Sequence, residues 1–249
     1  MGGALTKPTE KQMIRLNELQ NKPTRTDKQE QEMRELIAKR DAPPTLLDGA
    51  KAYCQQWLKE QLYNRSISFS SKYTEKGIEC EQSGIDLLAE MMNYGMIAKN
   101  EQHFENDYIT GMPDIILSDI VEDIKCPWAF STFPLFAKEL PTDAYYWQMQ
   151  GYMDLVGHTK AAVNYCLIDA PEYLIDREAR TVSLKAGFDE VEIELYDQVY
   201  AKMTYGDVDK SLRFKRFELT RDDVAINAIY TQVKLCREYI QSIAVTLPK

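Results

Sequence analysis

The chain has no apolar run of transmembrane length, and its N-terminus is charged and polar rather than a basic segment leading into an apolar one. A membrane span and a secretory leader are therefore not expected, and the cytoplasm is the expected compartment. Cysteine is scarce: Cys54, Cys80, Cys126, Cys166 and Cys236 are odd in number, scattered and without a C-x-x-C pair. That pattern argues against a disulfide framework and against a clustered zinc or iron–sulfur site. Positive charge is in deficit too, with 30 basic against 39 acidic residues and a formal net charge of −9. A protein that grips nucleic acid with its whole surface has the opposite balance, so any such contact must be confined to a narrow groove. What the chain does have is the material of a core. Of its 249 residues 44% are hydrophobic, enough for one domain of ordinary size plus an appendage.

The appendage comes first. Residues 9–21 and 27–40 read as charged amphipathic helices with thin apolar stripes, Met13, Leu16 and Leu19 on one and Met33, Leu36 and Ile37 on the other. Lys22-Pro23-Thr24 joins them, Ala42-Pro43-Pro44 ends the pair, and a third helix is expected over about 46–63. We assign 1–63 to an N-terminal helical arm and 64–249 to the main domain. So narrow a seam suits a packing arm or a partner surface better than a chemical site.

The chemistry is concentrated at Thr110-Gly111-Met112-Pro113-Asp114, with Asp123-Ile124-Lys125-Cys126-Pro127 beginning nine residues after Asp114. Two apolar runs, 115–117 and 120–124, flank Ser118-Asp119 and predict a β-hairpin. Alternation along the second strand places Val121, Asp123 and Lys125 on one face and Ile120, Glu122 and Ile124 on the other. Two carboxylates and an ammonium converging on one place are what a Mg²⁺ site for phosphodiester hydrolysis requires. Hard cations want carboxylate oxygens, and an attacking water is oriented by a nearby positive charge.

Two helices add a polar residue each where an apolar one is expected. Over 76–92, helical spacing lines up Ile78, Glu81, Ile85, Leu88 and Met92, with Glu79, Gln82, Ser83, Asp86 and Glu90 opposite. A carboxylate within an apolar stripe needs a cation to meet it, which favours Glu81 over Glu79 as the functional glutamate. A later helix should start at Thr142 or Asp143 and stop near Gly157, and its stripe of Tyr145, Gln148, Tyr152 and Val156 is interrupted by an amide.

Together these segments resemble the PD-(D/E)xK nuclease superfamily, with Pro113-Asp114 and Asp123-Ile124-Lys125 as its paired elements. Within it the chain is most similar to the lambda exonuclease (YqaJ-like) family of viral recombination nucleases. Gly77-Ile78-Glu79-Cys80-Glu81 matches a G-x-x-x-E helix start, Lys125-Cys126-Pro127 a K-C-P strand end, and Tyr146-Trp147-Gln148-Met149-Gln150 a glutamine helix, across about residues 66–170. The departure is Asp123, where that branch usually has Glu.

The resemblance implies an α/β (mixed α+β) fold with a restriction-endonuclease-like core, the hairpin lying in the middle of a central mixed sheet and the Glu81 and Gln148 helices packed on it. It implies active-site roles for Glu81, Asp114, Asp123, Lys125 and Gln148, with Glu81, Asp114, Asp123 and the Ile124 carbonyl as ligands of Mg²⁺, for which Mn²⁺ can substitute. The implied activity is exonuclease digestion of linear double-stranded DNA, 5′ to 3′, from its ends. An endonuclease on the same fold, or a catalytically silent module that binds a protein, would share the pattern. Expected partners are duplex ends, a single-strand annealing protein and further copies of the chain in a ring; a viral chain would work in the bacterial host's cytoplasm.

For DNA contacts, Arg65, Ser70, Ser71 and Lys72 lie where lambda-type enzymes hold a terminal 5′ phosphate. The densest basic stretch, 210–216, offers Arg213, Lys215 and Arg216 interleaved with Phe214 and Phe217. It reads equally as phosphate contact with stacking or as an amphipathic edge strand with a solvated face. Further on, 161–168 is expected to form a strand, 190–200 a strand then a helix, and 221–243 the last long helix.

Overall fold

Thr9 and Thr26 each start a helix by the same device. The hydroxyl accepts from the backbone N–H three residues on (Gln12, Gln29), whose side chain returns to accept from the threonine N–H. In the computed structural model, which describes residues 8–68 and 70–247, these helices are α1 (Glu10–Asn21) and α2 (Asp27–Asp41). They close on Leu16, Leu19 and Leu36, with Met13, Met33 and Ile37 around them, the two stripes expected from spacing. The exposed Arg15–Glu32 pair beside them adds little stability.

The chain divides into two compact units, one of residues 1–67 with 227–249 and one of residues 68–226. The first contains α1, α2 and α3 (Asp48–Tyr63). Gln55 Nε2 on α3 donates to Tyr239 Oη at 2.8 Å, and the Cys54 and Cys236 thiols are hydrogen bonded. The expected boundary after residue 63 thus moves by four residues. The C-terminal helix, assigned from sequence to the main domain, is shared between the units because Cys236 and Tyr239 are tied to α3.

The second unit contains α4 (Lys72–Met92), a two-stranded ribbon of β1 (Phe104–Glu105) and β2 (Thr110–Gly111), and the hairpin strands β3 (Ile115–Ile116) and β4 (Ile120–Lys125). There follow α5 (Asp143–Val156), β5 (Lys160–Cys166), α6 (Glu172–Lys185), α7 (Ile193–Met203), β6 (Phe214–Thr220) and the start of α8 (Asp223–Ala244). The sheet runs β3-β4-β5-β6, with β4 and β5 parallel and the other pairs antiparallel. The parallel pair needs a crossover, and α5 supplies it. The hairpin is therefore at one side of the sheet rather than in its middle, β3 forming the edge.

Strand β4 is covered on both faces. Val121 packs with Met149, Met153, Val163 and Phe217 on the α5 side, and Ile124 with Ile85, Leu88, Ile115 and Cys166 on the α4 side. The row of α4 that meets the sheet is Lys76, Cys80, Gly84 and Leu88, and Ile78, expected in the apolar stripe, is 68% exposed. Gly84 explains the rotation: a Cβ there would stand 2.6 Å from Ile124 Cγ2, so only glycine permits this approach of helix to strand.

Helices α6 and α7 pack against each other through Ala170, Ile175, Ala179, Val199 and Met203. Among the described residues no strand leads directly into α7: Glu192 is its N-cap and Ile193 its first residue. Helix α6 was not anticipated, although Leu174, Ile175 and Ala179 carry a helical stripe. No described helix is long and apolar enough to cross a membrane.

Candidate active site

Alternation along β4 turns Asp123 and Lys125 toward α5, where a cleft of about 600 Å³ is lined by Glu81, Asp114, Asp123, Ile124, Lys125, Tyr145 and Gln148 among others. Asp114 stands just before β3, and its Oδ2 accepts from the Ile124 N–H at 2.7 Å. The backbone between Asp123 and Lys125 thereby holds the first carboxylate beside the second. Thr142 caps α5 at its start and Gly157, at φ 76°, ends it, as the sequence indicated. On this helix Gln148 Nε2 donates to Asp123 Oδ1 at 3.3 Å and to Tyr152 Oη at 3.0 Å.

Asp123 is 1% exposed, and burial pushes its carboxyl up to about 7 against the pull of Lys125. Lys125 Nζ lies 2.6 Å from Asp123 Oδ2 and 4.8 Å from the Tyr145 ring centroid. Burial pulls this lysine down, but the charges of Asp123 and Asp114 outweigh it and the net shift is upward. Asp114 is raised by burial, partly offset by the Ile124 N–H and Lys125. Glu81 reaches the cleft from the edge of α4, paired with Lys99 at 2.9 Å, while Glu79 is exposed. Lys99 was not singled out from sequence, since it lies in an irregular segment with no periodic signal, and Tyr145 was read only as part of an apolar stripe.

Two oxygens in this cleft test whether it suits a cation. Glu81 Oε1 is buried with no hydrogen-bond partner, and so is Asp123 Oδ2, whose contact with Lys125 is an ion pair without hydrogen-bond alignment. Buried carboxylate oxygens that accept no hydrogen bond favour a hard cation. As placed, no three His, Cys, Asp or Glu side chains among the described residues converge on one point, because each carboxylate leans to its own donor: Glu81 to Lys99, Asp114 to Ile124, Asp123 to Lys125. The donor set itself, three carboxylates and the carbonyl-bearing Ile124, fits Mg²⁺.

No family model and no curated protein sequence matches the chain. Among solved structures, a phage-related exonuclease from Haemophilus somnus 129PT superposes with a TM-score of 0.66 at 25% identity, covering 93% of this chain and 94% of that one. The chain shares the fold of that exonuclease over nearly its whole length. An alkaline exonuclease from Laribacter hongkongensis has the same fold at 14% identity and a TM-score of 0.54, covering 79% of this chain and 81% of that one. Its complex with dAMP gives 0.53, at 92% and 86% coverage.

Within this fold the residues expected to touch DNA do not all stand free. Arg216 is 11% exposed and spans Glu122 Oε2 at 2.6 Å and Asn164 Oδ1 at 3.0 Å. Glu122 also accepts from Tyr94 Oη at 3.0 Å and Asn164 Nδ2 at 2.7 Å. Arg216 is thus a core ion-pair residue on the sheet face opposite Asp123, a correction to its expected phosphate role. Lys215 Nζ sits 5.6 Å from the Phe217 ring centroid, and Arg213 Nε is buried and unpaired. Ser71 caps α4 by accepting from the Thr74 N–H. Lys72 pairs with Glu178 at 2.8 Å and lies 4.7 Å over the Trp128 ring; Ser70 is exposed. Arg65 is exposed and belongs to the other unit.

Proposed function

We propose that the chain is a Mg²⁺-dependent deoxyribonuclease, with Mn²⁺ as a substitute, that digests linear double-stranded DNA from its ends, 5′ to 3′, in recombination or repair. The observation that carries this is the meeting of Asp114, Asp123 and Lys125, with Gln148 on Asp123, inside one cleft. The likeness of the fold to two exonucleases supports it.

Glu81, Asp114, Asp123 and the Ile124 carbonyl would hold the metal, which when bound supplies charge stabilisation at the scissile phosphate and lowers the pKa of water. Lys125, whose ammonium form is favoured by the charges of Asp123 and Asp114, would orient the attacking water, help to deprotonate it and offset the negative charge that develops. Gln148 fixes the Asp123 carboxylate, and Tyr152 fixes Gln148. With a net charge of −9 the chain has little non-specific hold on duplex DNA, so it should cut internal sites poorly and do better where a ring of copies encloses one threaded strand. A 3′ single strand left by such digestion would suit an annealing partner in the cytoplasm of a bacterial host.

The test is substrate topology. With Mg²⁺, linear duplex bearing 5′ phosphates is expected to go to mononucleotides while covalently closed circles survive. Circles cut as fast as linear DNA would replace the exonuclease reading with an endonuclease. No cleavage of either, with metal bound, would replace it with a silent binding module.

A further inference from the structure

Lys76 is fully buried, yet it forms no ion pair among the described residues. Its ammonium donates to the Pro127 carbonyl at 2.9 Å and the Trp128 carbonyl at 3.0 Å, and it lies 5.8 Å from the Tyr205 ring centroid. Burying an ammonium is costly, and a methionine would fill similar space without that penalty. What the charge supplies is a partner for two carbonyls. The β4–β5 ladder ends at Lys125, so the turn that follows has no strand to hold it. Tyr205 secures the next position, its hydroxyl accepting from the Phe130 N–H at 3.1 Å.

The turn held in this way carries a wall of the cleft. Trp128 lines it together with Tyr73, Glu81, Asp114 and Lys125. The Tyr73 and Trp128 rings meet edge to face at 5.7 Å, and Tyr73 is 59% exposed. Lys72, itself fixed by Glu178, stands over Trp128. Aromatic rings beside a cationic group form a surface on which any base can stack, since every base has a π face.

We propose that Lys76 is a positioning residue: it fixes the Pro127–Trp128 turn so that Trp128, with Tyr73 beside it, forms the surface against which the base of the end nucleotide packs. This rests on the nuclease reading above. The rings touch substrate and Lys76 acts through them, so its loss changes binding more than chemistry.

The experiment uses the full chain with Mg²⁺ and linear 5′-phosphorylated duplex. Lys76→Met is expected to raise KM about tenfold, the loss of roughly one base stack, with kcat within about threefold of wild type. Trp128→Ala should match it, and Lys76→Met combined with Trp128→Ala should be no worse than Trp128→Ala alone. Lys76→Arg, which can still donate to both carbonyls, should restore most of the affinity. Tyr205→Phe, which leaves both Lys76 hydrogen bonds in place and frees the Phe130 N–H and the Lys202 carbonyl, should raise KM by less, and it carries the test if Lys76→Met does not fold. In the wild type a deoxynucleoside monophosphate should quench tryptophan emission, a base-free deoxyribose phosphate should not, and Trp128→Phe should lose the quench. A fall in kcat at unchanged KM, multiplicative KM effects in the double variant, or equal quenching by the base-free sugar would overturn the proposal. A wild type that cleaves no DNA would overturn the nuclease reading beneath it.

Discussion

The Ile124 N–H donates to the Asp114 carboxylate at 2.7 Å, so the backbone of β4 orients the carboxylate that stands at the other end of the hairpin. An asparagine can keep that contact through its carbonyl oxygen while losing the charge. Asp114→Asn is therefore expected to fold normally and to lower duplex hydrolysis on the order of a thousandfold, as is Lys125→Ala. Circular dichroism with a single-turnover cleavage assay checks this; near wild-type rates in either variant would remove the site from consideration.

Acidity supplies a second prediction. The Asp123 carboxyl is at about 7 when folded against an ordinary 3.8. Between those values the folded chain binds a proton that the unfolded chain has lost, so the contribution of this group to metal-free stability is fullest below about 4 and is lost as pH rises toward about 7. Asp114, also raised by burial, acts in the same direction. A cation needs the deprotonated carboxylate, so apparent Mg²⁺ affinity should climb up to about tenfold per pH unit below 7 and level off above it. Melting curves with and without Mg²⁺ from pH 5.5 to 8.5 measure this. A metal-induced rise in Tm that is the same at both ends of the range would refute it.

Helical phase separates two neighbouring glutamates. Glu81 reaches the cleft with one buried, unpaired oxygen, whereas Glu79 faces solvent. Glu81→Ala should abolish turnover and Glu79→Ala should leave it within about twofold. The reverse outcome in a steady-state assay would mean that α4 meets the sheet by another face.

Arg216 should matter for stability. Removing it leaves Glu122 charged, 0% exposed and short of its strongest partner. Arg216→Ala is expected to cost about 3–5 kcal/mol in urea unfolding, and a Glu122→Leu, Arg216→Leu double variant should recover much of that. A cost below about 1 kcal/mol in the single variant would count against the buried pair.

The hairpin and the capped α5 were legible in the sequence because their signals are local: a two-residue turn, strict alternation, a threonine cap and a glycine stop. The same alternation that pointed Asp123 at the site pointed Glu122 at the opposite face, where it is buried. Nothing near Glu122 announces its partner, since Arg216 lies on β6 and Asn164 on β5, brought alongside only by the pairing of three strands. Gln150 was hidden for the same reason: it clamps the Thr220 carbonyl at 2.9 Å and the Asp222 N–H at 2.7 Å, two groups with no local sequence link to it. The Lys76 cradle likewise spans more than fifty residues.

At Gly84 the helix that carries Glu81 and the strand that carries Asp123 touch with no room for a methyl group. The span across the site is therefore a packing distance, set in the apolar interior and on no polar residue at all. Gly84→Ala would act as a shim, moving one carboxylate away from the others while leaving every functional group in place, and the rate would become a ruler for that displacement.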